Sequence, residues 1–294
     1  MTLRLLVTGR EGQVAQALLA KQTDDLQIEA LGRPTLDLTD PSSIDRAIAA
    51  FRPDVIVNAA AYTAVDRAES EEETAFAVNA TGAGNVAAAA AAAGLPIIHI
   101  STDYVFPGDK ATPYVETDPT GPQGAYGRSK LAGEAAVAAA NPRHVILRTA
   151  WVYGPYGNNF LKTMLRLAET RDTLRVVADQ HGTPTYAPDI AEGILAVAQR
   201  LVSDASTPSG VFHMVSAGET TWAGFAEEIF RRSAALGGAA ATVEPIGTSE
   251  YPTPARRPAN SRLDTNLFTR TFAYRLPTWQ SGIERCLEAS ADAR

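Results

Sequence analysis

One cysteine, Cys286, occurs among 294 residues, so no intramolecular disulfide can form, and a reducing compartment, the cytoplasm, is the expected setting. Lysine is also scarce. Only Lys21, Lys110, Lys130 and Lys162 stand beside 22 arginines, and acidic residues leave a net charge of −7. That balance carries no footprint for nucleic acid or an anionic membrane. Long apolar runs are missing: the longest, Ala87 to Ala93, lies in helix-favouring sequence ending at Gly94 and is too short to span a bilayer. Leu3-Arg4-Leu5-Leu6-Val7 reads as a strand rather than a charged region, apolar core and cleavage site, so secretion is not expected. His99, His144, His181 and His213 are dispersed without metal-ligand spacing, and no Gly-x-Ser-x-Gly element points to a hydrolase. No catalytic metal is expected.

What is present alternates. Leu3–Thr8 is a short apolar run, followed by Gly9-Arg10-Glu11-Gly12 and a helical stretch from Gln13. Further strands are expected around Ile28–Leu31, at Asp54–Asn58, Ile97–Ser101 and Val145–Thr149, with helices at Ile44–Phe51, Glu72–Ala93 and Ser129–Ala140 between them. Strand and helix in strict alternation predict an α/β fold, a doubly wound, Rossmann-like parallel sheet covered on both faces. After residue 150 the pattern becomes irregular. The expected organisation is a dinucleotide-binding domain over 1–150 and, over 151–294, a smaller C-terminal substrate-binding lobe with some segments returning to the first domain.

In Gly9-x-x-Gly12-x-x-Ala15, straight after the first strand, Gly9 and Gly12 permit a tight turn and close approach of the backbone to a pyrophosphate, and the amides at the helix start face the phosphates. The alternative is a simple tight turn. NAD-preferring sites place an acid at the end of the second strand; here Leu31-Gly32-Arg33 stands there. Arg33 is suited to a 2′-phosphate, which favours NADPH with NADH possible; it also fits a solvated surface arginine. Asp37 and Leu38 are suited to the adenosine end, or to a turn and helix cap.

Tyr126 and Lys130 are four residues apart and share a helix face, so a phenol and an ammonium can converge on one small volume. A neighbouring cation favours the phenolate, which would bring the tyrosine towards the range of a proton-transfer catalyst. Ser101-Thr102-Asp103 upstream adds a hydroxyl and a carboxylate.

Together with Thr8-Gly9-x-x-Gly12-Gln13-Val14, the stretch from Arg52-Pro53-Asp54 through Asn58-Ala59-Ala60-Ala61-Tyr62-Thr63-Ala64-Val65-Asp66, Ser101-Thr102-Asp103-Tyr104-Val105-Phe106-Pro107-Gly108, Arg148-Thr149-x-Trp151-Val152-Tyr153, Asn158-Asn159-Phe160 and Tyr251-Pro252-Thr253-Pro254-x-x-Arg257-Pro258, the motif Tyr126-Gly127-x-x-Lys130-x-x-Gly133-Glu134 resembles the extended short-chain dehydrogenase/reductases, and among them the dTDP-4-dehydrorhamnose reductase family, from the first strand to the C-terminal loop. The resemblance implies hydride transfer from a nicotinamide to the C4 ketone of a dTDP-linked 4-dehydro-6-deoxyhexose. It makes Tyr126 the proton donor, Lys130 the holder of the nicotinamide ribose and Thr102 a hydrogen-bond partner of the substrate oxygen. Gly12, Gln13 and Val14 would touch the pyrophosphate, and Ala61, Tyr62 and Thr63 the nicotinamide side. Asp103 would bind sugar hydroxyls or adjust the local pKa, Trp151 would position the sugar, and Asn159, Phe160 and Arg257 would meet the nucleotide portion. Some relatives dimerise around Mg²⁺ held by carboxylates; Gln16 and Pro188 stand at those places, so no such site is expected and a monomer or a homodimer fits. An epimerase or dehydratase on nucleotide sugars is the nearest rival, although Thr102-Asp103-Tyr104 lacks the glutamate typical of dehydratases. A catalytically silent NADP-binding subunit is the other.

Overall fold

Strand β1 (Leu3–Thr8) shows why the sheet needs helices on both sides. Successive side chains of a strand point to opposite faces. Leu5 and Val7 enter one core with Val14, Ile190 and Ile194, whereas Leu6 enters another with Ile44, Val86 and Val137. β1 pairs in parallel with β2 (Leu26–Leu31) on one flank and β3 (Val55–Asn58) on the other. Beyond β3 lie β4 (Ile97–Thr102) and β5 (His144–Thr149), and the strand Gly210–His213 closes that edge. The computed structural model, which describes residues 2–291, thus has a six-stranded parallel sheet in the order Gly210–His213, β5, β4, β3, β1, β2. The α/β, Rossmann-like expectation holds.

The chain leaves β1 towards β2 and crosses back to β3 on the far side. The loops after β1 and β3 therefore flank a crevice at the carboxyl ends of the strands, where open α/β sheets bind ligands.

Two helices differ from expectation. The helix expected over Glu72–Ala93 is interrupted by a π-helical stretch, Ala77–Gly82, between Glu72–Phe76 and Ala83–Ala92. Such bulges are common at functional sites, and this one carries the buried Asn79. The helix expected from Ser129 starts earlier, at Ala125, which puts Tyr126 in its first turn. Two glycines let this helix lie close: a Cβ on Gly133 would fall on the Asn79 carbonyl oxygen, and one on Gly127 on that of Tyr104.

After β5, the helices Phe160–Ala168, Trp222–Ala235 and Trp279–Ala291 pack around Leu161, Phe225, Ile229 and Ile283, beside a two-stranded parallel sheet of Thr173–Val177 and Thr242–Ile246. The helix Ala187–Ser203 instead packs on the first core, against Val14 and Leu18. Among the described residues no helix is long and apolar enough to cross a membrane.

Candidate active site

The turn after β1 requires its first glycine. Gly9 has φ +84°, and a Cβ there would overlap the Ala60 backbone of the loop after β3. Gly12 then caps the helix Gln13–Leu19 in an extended conformation. Val14 is buried in the core, and the Gln13 amide reaches the chain beyond β5: Nε2 donates to the Val152 carbonyl at 3.4 Å and Oε1 accepts from Asn159 at 3.0 Å. Across the crevice Tyr62 is clamped by Asn79, which accepts from its backbone N–H at 2.8 Å and donates to its carbonyl at 3.1 Å, while the Tyr62 phenol donates to Glu71 at 2.6 Å. Ala61 is half-buried beside it and Thr63 is exposed. Gly9 thus lets the loop after β1 pack directly on the loop after β3.

Just past β2 Arg33 is exposed, with no ion pair among the described residues. Leu38 is buried against Gly82, and its carbonyl accepts from Asn85 Nδ2 at 2.9 Å. Asp37 is engaged locally: its Oδ1 accepts from the Thr39 amide at 2.9 Å and hydroxyl at 2.7 Å, which hold the carboxyl below its ordinary range. The helix cap is Asp40, whose side chain accepts from Ser42.

Tyr126 lies half-buried, its ring edge-on to Tyr104 at 5.6 Å. Burial pushes its phenol pKa upwards, the Asp103 carboxylate adds to this, and the Thr102 hydroxyl pulls the other way. The sequence led us to expect a shift downwards from Lys130. The structure shows why that is absent: Lys130 is buried and its Nζ donates to the Ile100 carbonyl at 2.7 Å, with His99 Nε2 at 3.4 Å. Burial brings the Lys130 ammonium down to about 8, against an upward pull from Glu134. The tyrosine is therefore a firmly protonated acid.

Thr102 closes β4 as the cap of a short 3₁₀ turn; its Oγ1 accepts from the Tyr104 amide at 3.2 Å and donates to Asp103 at 2.9 Å. Burial raises the Asp103 carboxyl to about 6, with the Ser261 and Thr102 hydroxyls lowering it. Because the folded state keeps this proton up to about pH 6 and the unfolded chain loses it near 4, stability falls as pH rises through that window, by about 3 kcal/mol in all. Asp103→Asn removes this loss. Its stability relative to the parent protein should improve by up to about 3 kcal/mol between pH 4 and 7.5 in denaturant titrations; parallel pH profiles would contradict the assignment.

Next to these groups opens a cavity of about 730 Å³. Tyr104, Phe160, Trp222 and Arg257 line it, with Arg171 and Arg175 further along. Arg257 donates to Asp66 at 2.7 Å. Trp151 stacks on Trp222 at 3.7 Å between ring centroids, 11° from parallel, and Phe160 meets Trp222 at 4.7 Å. Trp151 holds φ +47°, a left-handed conformation that costs a non-glycine residue free energy and is common at functional sites. The structure thus groups Tyr126, Thr102 and Asp103, and brings Phe160 and Arg257 into the neighbouring cavity. It does not bring Asn159 there: that side chain caps the helix Phe160–Ala168 and donates to Gln13 and the Gly154 carbonyl. The sequence reading assigned no role to Trp222, Tyr104, Asn79 or Asp66; of these Tyr104, inside the Ser101–Gly108 motif, and Asp66, closing the Arg52–Asp66 motif, carried a signal.

Among the described residues no three His, Cys, Asp or Glu side chains group as a metal site. The chain matches the family model described as RmlD substrate binding domain over residues 3–291. It is 52% identical over 288 residues to the dTDP-4-dehydrorhamnose reductase of Sinorhizobium fredii, covering 98% of this chain and 97% of the relative. With the enzyme of the same name from Salmonella typhimurium it shares 44% identity over 291 residues, 97% of each chain. The crystal structure of Bacillus anthracis dTDP-4-dehydrorhamnose reductase in complex with NADP superposes with a TM-score of 0.90 at 36% identity, over 98% of this chain and all of the other. With a shared fold, near-complete coverage and this level of identity, the chain belongs to the dTDP-4-dehydrorhamnose reductase family of NAD(P)H-dependent oxidoreductases.

Proposed function

We propose that the protein reduces the C4 ketone of dTDP-4-dehydro-L-rhamnose to dTDP-L-rhamnose, with NADPH preferred to NADH. The observation that carries this reading is the grouping of Tyr126 with Thr102 and Asp103 beside a cavity that presents an aromatic platform and arginines. NADPH in the crevice supplies the hydride. Residues 1–150 mainly hold it and residues 151–294 mainly hold the sugar nucleotide.

Each side chain then has a task. Gly9, Gly12, Gln13 and Val14 border the pyrophosphate, Asp37 and Leu38 the adenosine, and Ala61, Tyr62 and Thr63 the nicotinamide. Lys130, anchored on the Ile100 carbonyl, turns a remaining N–H towards the ribose. When the ketone carbon gains hydride, its oxygen becomes an alkoxide. Tyr126 gives that oxygen its proton, and Thr102 helps to hold it. Trp222, backed by the stacked Trp151 ring, positions the sugar, and Arg257 meets the diphosphate.

NADPH deuterated at both nicotinamide C4 positions is the test: a single deuterium should appear on C4 of the recovered deoxyhexose, and an unlabelled product would contradict the reaction. Arg33, exposed at the end of β2, is assigned the 2′-phosphate. Losing a charge-assisted contact of this kind costs about 1.5–3 kcal/mol. Arg33→Ala should therefore raise KM for NADPH by about tenfold or more and leave KM for NADH nearly unchanged; equal effects on both would remove Arg33 from that role.

A further inference from the structure

The cavity wall contains a polar side chain with an acceptor to spare. Gln180 is 6% exposed and lines the cavity. Its neighbours determine how its amide is turned. The Asp179 carboxylate accepts from the Thr248 backbone N–H at 2.9 Å and from the Thr248 hydroxyl at 2.6 Å. A hydroxyl has one proton, and here it is committed to Asp179, so Thr248 Oγ1 can offer Gln180 only lone pairs. At 3.0 Å from it stands Gln180 Nε2, the donating end of the amide. The accepting end, Oε1, is thereby fixed in the other orientation. Among the described residues no donor reaches Oε1, and it is not among the side-chain atoms sealed in the core.

We propose that Gln180 is a substrate-binding residue whose Oε1 accepts a hydrogen bond from an uncharged N–H or O–H group of the nucleotide sugar. The inference rests on the cavity being the nucleotide-sugar site. A diphosphate brings only acceptors and is suited to the arginines of the same wall, so it is not the partner of Gln180. The remaining donors of such a substrate are the thymine imide N–H and the hydroxyls of deoxyribose and hexose. Thr248 and Asp179 preset the amide, so the site rejects a ligand that places an acceptor against Oε1.

Calorimetry on the full-length protein and on Gln180→Met tests this, with dTDP-L-rhamnose as ligand and NADP as a control for the fold. The variant should bind dTDP-L-rhamnose about tenfold more weakly and NADP equally well. Analogues then identify the donor. If it is the imide, N3-methyl-dTDP binds both proteins alike whereas dTDP separates them; if it is the deoxyribose hydroxyl, the 3′-deoxy analogue does so. If it is a hexose hydroxyl, dTDP itself binds both alike. Equal affinity of the two proteins for dTDP-L-rhamnose, or a parallel loss of NADP binding, overturns the assignment. A parent protein that binds NADP but no dTDP-sugar overturns the substrate reading beneath it as well.

Discussion

Replacing Tyr126 by Phe is expected to lower kcat by about two to four orders of magnitude, the usual contribution of a positioned general acid. The effect should fall on kcat rather than on cofactor affinity. Phe keeps the edge-on contact with Tyr104 and the packing of the helix that begins at Ala125, and it leaves the Gly9 turn untouched. What it removes is a proton that burial and the Asp103 carboxylate hold on the phenol throughout the neutral range. Steady-state turnover with the sugar substrate, alongside an NADP binding isotherm, separates the two quantities. Near-normal kcat would take the proton donor's role away from Tyr126.

The second large effect concerns stability. One turn beyond Lys130, Glu134 receives the Arg148 guanidinium in a bidentate pair, at 2.9 Å from Nε and 2.7 Å from Nη2, and also the Ser101 hydroxyl at 2.5 Å. Both charged side chains are almost fully buried. Removing one member strands the other charge in the core, which costs about 3–5 kcal/mol. Glu134→Ala should lose stability of that size in denaturant unfolding, and Glu134→Gln less, because its amide oxygen still accepts from Ser101 or Arg148. The same carboxylate pulls the Lys130 ammonium upwards against burial, so its loss should also move Lys130 further below about 8. A loss under 1 kcal/mol would show that the pair contributes little beyond the residues around it.

The parts of the site legible in the sequence are those fixed by local geometry. Gly9 could be read because no other residue suits its turn against Ala60, and Tyr126 with Lys130 because helical spacing puts them on one face. Spacing does not say which acceptor a long side chain reaches, and Lys130 was misjudged for that reason: its Nζ is turned to the Ile100 carbonyl. Five strands of the parallel sheet followed from strand and helix alternation, whereas the sixth, Gly210–His213, lies where that alternation fails, and the π-helical stretch at Ala77–Gly82 was hidden because this alanine-rich segment has little apolar periodicity to disturb. Trp222 and Gln180 were invisible for another reason. Trp222 gains its meaning from stacking on Trp151, 71 positions earlier in the sequence, and Gln180 from the Thr248 hydroxyl. Asn159, a motif residue expected at the nucleotide, caps a helix and ties it to Gln13 in the loop after β1.

The central claim is that Tyr126 and its neighbours serve a reduction of a dTDP-linked 4-ketosugar. Purified protein supplied with dTDP-4-dehydro-L-rhamnose should consume NADPH, read as the loss of reduced-nicotinamide absorbance, faster than it consumes NADH. No loss of absorbance with either cofactor would contradict it.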